Sequence, residues 1–165
     1  MKKLYIKQKV FSIGEKFTVT DDLQNPRYYV EGSFFKIPKS FTIFNEQQRP
    51  IAEITKKVFS LLPKFFLEVH GQEAIVLEKH FTFFKARYSI SAEGIDMDGN
   101  WWDMDFVVNR NGKRIAEIHK KWISWGDTYE VVIYEEDLDD LIIALVVAID
   151  RVKADDAAAS SSASS

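Results

Sequence analysis

Cysteine is absent from this 165-residue chain. That excludes a disulfide scaffold, a thiol nucleophile and cysteine-ligated zinc, and it fits a reducing compartment. Histidine is scarce. His70, His80 and His119 are the only three, with no HxH or HExxH spacing, so they read as surface or strand residues and no metal site is expected. The chain has no GxGxxG, P-loop or GxSxG motif. A transmembrane-length apolar run is missing too. The longest stretch, Leu141 to Ile149, falls well short of the ~20 residues a span needs. The start, MKKLYIKQKVF, is basic, but Lys7 and Lys9 interrupt any apolar core, so no signal peptide is read and a cytoplasmic location is expected.

What the chain does contain is apolar and aromatic. Hydrophobic residues make up 46% and aromatics 14%, enough to bury one core. Charge is unevenly spread. Residues 1–134 hold 20 of the 22 bases but only 17 of the 25 acids, so the body is mildly basic and the end acidic. A net charge of −3 gives no reason to expect nucleic acid as a partner.

From residue 1 to 134, short runs rich in Val, Ile, Phe, Tyr and Thr alternate with turn signals. Asn111-Gly112 between FVVNR and KRIAEI is the strongest, because a type I′ turn needs two residues tolerant of positive φ. One phrase recurs: KVFSIGEKF at 9–17, KVFSLLPKF at 57–65, KHFTFFKAR at 79–87 and KWISWGDTY at 121–129. The likeness extends backwards in RPIAEITKKVFS (49–60) and KRIAEIHKKWIS (113–124). Each unit reads as strand, tight corner, strand. Repeated hairpins imply an antiparallel meander, and a long meander must close or pair its edges, so a closed barrel is predicted.

Residues 137–153, DLDDLIIALVVAIDRVK, break the pattern. The β-branched residues would suit a buried strand. The length, the acids at its start and the bases at its end favour a helix over about 138–152, with Asp137 as its N-cap. Apolar on all sides, it needs a jacket of protein. ADDAAASSSASS follows, and residues 154–165 are read as a disordered Ala/Ser tail.

The segments YIKQKVFSIGEKFTV, the two IAEI-x-KK segments at 51–57 and 115–121, and LDDLIIALVVAIDRV together resemble the LURP-one-related family in its short bacterial form, within the tubby C-terminal-like superfamily. The resemblance covers roughly residues 1–153. It implies a single domain, a barrel of about twelve strands around a central hydrophobic helix. Related tubby domains bind phosphoinositides. No phosphoinositide-binding residue set matches this chain position by position, so no lipid site is carried over.

The search for chemistry finds no active site. Asp96, Asp98, Asp103 and Asp105 fail the EF-hand template, because Trp101 stands where Gly is required and Val107 where a bidentate Glu belongs. A hairpin turn at Asp98-Gly99 accounts for them. Glu53 and Glu117 recur with the repeat and are read as strand residues. The corner lysines are the functional hint. Lys9, Lys57, Lys79 and Lys121, with Trp122 and Trp125, are the candidate lipid-binding residues: ammonium groups attract anionic headgroups and aromatic tips insert at the interface. A structural reading, in which these lysine stems snorkel at a strand bulge, is the stronger competitor. The expectation is a non-enzymatic binding domain without a cofactor, peripheral at the membrane and binding anionic phospholipid or phosphoinositide. The alternatives are a small-ligand protein or enzyme with its site at the barrel mouth, and a purely structural protein-interaction module.

Overall fold

The structure is a computed structural model that describes residues 1–7, 16–33, 39–57, 62, 64–81, 86–92, 94–123 and 126–163. Twelve strands form one antiparallel sheet. They are β1 (Lys2–Lys7), β2 (Lys16–Thr20), β3 (Pro26–Gly32), β4 (Ser40–Asn45), β5 (Pro50–Lys56) and β6 (Lys64–Val69). Then come β7 (Gln72–Phe81), β8 (Ala86–Ala92), β9 (Ile95–Asn100), β10 (Asp105–Arg110), β11 (Lys113–Ile123) and β12 (Gly126–Ile133). Helix α1 (Asp139–Ala163) follows a 3-10 turn, Glu136–Leu138.

Every strand pairs with its sequence neighbour except β8 with β9, and β1 pairs with β12 from Lys2↔Ile133 to Lys7↔Thr128. The sheet therefore runs almost full circle and stays open between β8 and β9. The predicted closed barrel is corrected to an open, wrapped sheet, since the described residues make no ladder across that gap. The Gly94 carbonyl accepts from the Asn111 N–H at 2.9 Å, which extends the β9–β10 pairing beyond Ile95↔Arg110. Asp96 and Asp98 leave the β9 edge charged.

Alternation sets the inside. Leu4 and Ile6, Ala52 and Ile54, Phe65 and Leu67, Ala116 and Ile118, and Tyr129 and Val131 are all buried, two apart on their strands. They face α1, where Ile142 through Ile149 are wholly buried. The predicted helix is thus present, and the sheet is its jacket. It starts at Asp139; the predicted cap Asp137 lies inside the preceding 3-10 turn. It also outruns its predicted end. The segment from 154 continues as helix to Ala163, because alanine is the best helix former and extending an existing helix avoids a new nucleus.

The meander sorts its connections by end. Where the helix enters, the turns are tight. His70-Gly71 and Asn111-Gly112 each hold two consecutive positive φ values, as predicted for Asn111-Gly112. At the other end, where α1 leaves the sheet, β1, β3, β5, β7, β9 and β11 finish and β2, β4, β6, β8, β10 and β12 begin. The β9–β10 reversal is not at Asp98-Gly99 as predicted. It is the 3-10 turn Trp101–Asp103, where Asn100 Oδ1 accepts from the Asp103 N–H at 3.2 Å and buried Met104 takes φ 61°.

Candidate functional site

The two ends of α1 meet different chemistry. At the entry, Asp139 pairs with Lys2, and Asp140 accepts from the Tyr28 hydroxyl at 2.9 Å and contacts His70 Nε2 at 2.9 Å. Burial, reinforced by the charge and hydrogen bond of Asp140, pushes the Tyr28 phenol far above its usual range. Burial also raises the Asp139 carboxyl, with Lys2 opposing it in part. Carboxylates beside the first turn complement the helix dipole, so this end is a structural anchor.

At the exit the chemistry is basic. A recess of about 110 Å³ opens between α1 and the strand ends of β3 to β6. Lys39, Lys56 and Arg151 bring cations to it, Asp155 one carboxylate, and Phe41 and Phe65 apolar wall. Lys56 Nζ lies 2.7 Å from Asp155 Oδ2 and 5.9 Å from the centre of the Phe65 ring. Arg151 pairs with the buried Asp150 and lies over Phe17 at 5.1 Å and Phe41 at 5.7 Å. A guanidinium stacked on two rings keeps a fixed plane, and its Nε and Nη2 donate to Asp150. On another side of the helix, burial lowers the Lys153 ammonium. Asp150 and Asp103 oppose the shift, and Lys120 adds to it.

The structure separates the predicted lysines. Lys57 is exposed, and its N–H donates to the Lys64 carbonyl at 2.8 Å. Lys121 lies on the outward face and pairs with Glu130 at 2.7 Å. Lys79 stands in β7 opposite Tyr88, and Trp122 in β11 opposite Asp127. Lys9 and Trp125 lie outside the described residues. The inward lysines were missed. Lys56 and its repeat equivalent Lys120 continue the phase of Ile54 and Ile118 towards the helix. The signal was present in the alternation, since each follows a core isoleucine by two. Trp101 and Trp102, packed edge to face at 5.7 Å, are not among the predicted site residues and stand at the same rim. Among the described residues no group of three His, Asp or Glu side chains is placed to hold a metal, and no helix is long and apolar enough to cross a membrane.

A nearly complete wrap of antiparallel strands around one hydrophobic helix defines a tubby-like fold. A protein from Arabidopsis thaliana solved by X-ray crystallography has a similar fold, with a TM-score of 0.59 at 14% identity over 90% of each chain. The family model described as LURP-one-related matches residues 2–150. The chain is also 31% identical over 153 residues to the uncharacterized protein YxjI of Bacillus subtilis (strain 168), covering 92% of this chain and 94% of that one. The chain belongs to the LURP-one-related family.

Proposed function

We propose that the protein is a non-catalytic binding module that docks the helix-exit rim on an anionic phospholipid surface, peripherally and reversibly. One observation carries this reading: lysines and tryptophans converge on that rim. Lys7, Lys39 and Lys57 are exposed there, and none has an ion-pair partner among the described residues. Trp101 and Trp102 stand at the same rim, in the turn between β9 and β10. A lysine near an anionic surface contributes about 1 kcal/mol, so three give roughly 3 kcal/mol at low salt. Partly buried indole rings add an interfacial preference. The opposite rim carries Glu135, Glu136, Asp137, Asp139 and Asp140 around the helix entry, where Lys113, the N-terminal ammonium and Lys2 pair with Glu135, Glu136 and Asp139.

Vesicle co-sedimentation tests the proposal, with phosphatidylcholine vesicles against the same vesicles containing phosphatidylserine. Binding is expected only with phosphatidylserine, with a blue shift of tryptophan emission and loss at high salt. The Lys7→Glu, Lys57→Glu double variant should bind at least tenfold more weakly while keeping its unfolding temperature. Failure of the wild-type protein to sediment with the anionic vesicles at low salt would refute the proposal.

A further inference from the structure

We propose that the recess at the exit rim is a binding site for a phosphate-ester anion, and that the carboxylate of Asp155 holds the anion's place until it is displaced. This deepens the proposed function, since the rim that meets the surface is the rim that opens onto the recess. Lys39, Lys56 and Arg151 converge on a space of about 110 Å³, room for several water-sized groups. Asp150, buried beside Arg151, balances that guanidinium from within. Asp155 balances Lys56 from the outer wall, at 2.7 Å. Lys39 is exposed and balanced by nothing among the described residues. Withdrawing Asp155 leaves a net charge of about +2 facing the recess, which matches the −1.5 to −2 of a phosphate monoester. Phe41, Phe65 and Ile54 line the rest and suit the carbon side of the ester.

Asp155 is well suited to be the exchangeable partner. It stands where α1 has left the sheet, and residues 157–162 beyond it are exposed. Its ion pair with Lys56 is partly exposed on both sides, so moving it costs little compared with unpacking any residue from Ile142 to Ile149. The helical extension is therefore an internal counter-ion: it lowers affinity for weak anions and yields to those that engage all three cations.

The experiment has two arms, both on the full chain. In one, glycerol phosphate is titrated and followed by calorimetry. In the other, phosphatidylcholine vesicles containing phosphatidic acid are titrated. Asp155→Asn should tighten binding about threefold, and Lys56→Gln should weaken it about tenfold. Lys3→Gln, on the outward face of β1, is the control and should change nothing. Binding in the soluble arm alone supports the site and identifies the ligand as a free phosphate ester, which overturns the membrane reading. Vesicle binding that ignores both Asp155→Asn and Lys56→Gln overturns the recess and leaves rim docking standing. No binding in either arm overturns the site. Thermal unfolding of each variant shows that the fold is intact.

Discussion

Glu130 points outward from β12, yet it is buried. It accepts from the Tyr5 hydroxyl at 3.0 Å and pairs with Lys121 at 2.7 Å. Burial alone would raise its carboxyl. The hydrogen bonds from Lys121 and Tyr5, with the charges of Lys121 and Lys3, outweigh it and hold the group below the usual range. The folded chain then binds fewer protons here than the unfolded chain. The stabilisation is present above the unfolded carboxylate value, near pH ~4.3, and is lost as pH falls through the lower folded value. Glu130→Gln should therefore cost about 1 kcal/mol near pH ~7, and the gap should close in acid. Urea unfolding across that range checks it, and a gap of constant size would exclude the ion pair as its cause. The same pair joins Lys121, read from sequence as a candidate lipid contact, across β11 to β12. The neighbouring pair Lys56 and Lys57 differs by one strand phase. One reaches the helix and the other the solvent. Only the cross-strand and helix partners make that difference visible.

The decisive element is α1. Its run from Ile142 to Ile149 has no exposed face, so the sheet must supply contacts all round. Leu145→Ala should lower stability by about 2–5 kcal/mol, through lost transfer energy and a cavity that a closely wrapped sheet cannot collapse. Leu145→Asp should prevent folding, by burying a charge without a partner. Circular dichroism during chemical unfolding measures both, and a soluble, stable Leu145→Asp protein would contradict the buried position. Removal of residues 154–165 should cost no more than about 1 kcal/mol, since the Lys56–Asp155 pair that ties it to the sheet is partly exposed. The strands have their own sensitive point. Gly99 has φ 110°, and a Cβ there would lie 2.9 Å from the Asp105 carbonyl oxygen. Gly99→Ala is thus strained in backbone and in contact, and should loosen the β9–β10 ladder by about 1–3 kcal/mol. Faster amide exchange confined to β9 and β10 would register it.

At the scale of the whole molecule, an even number of antiparallel strands places every second connection at one rim. The four repeats at 9–17, 57–65, 79–87 and 121–129 fall at the junctions of β1 with β2, β5 with β6, β7 with β8 and β11 with β12, and the strands at those junctions have their ends at the helix-exit rim. Much of that organisation is legible in the chain. Period-two alternation, the Asn111-Gly112 turn and the unbroken apolar run at 141–149 depend on local chemistry, and a reader of the sequence can place strands, turn and buried helix from them. The gap between β8 and β9 is not legible, because it depends on which strands come within reach after the sheet has wrapped. Nor is the recess, whose walls come from residues 32 to 65 and from 151 to 158. Amide exchange tests the gap directly: outward-pointing N–H groups of β8 and β9 should exchange far faster than those of β1 and β12.

By itself the sequence determined the repeating hairpins, the buried C-terminal helix and the absence of any thiol, because each follows from residue type and short-range spacing. Only the tertiary structure decided which lysine of each pair faces the helix, that Asp155 reaches Lys56 across 99 residues of chain, and that the sheet stops short of closing. Those outcomes depend on distances between segments remote in sequence, which the twist and register of the whole sheet set and no local pattern contains.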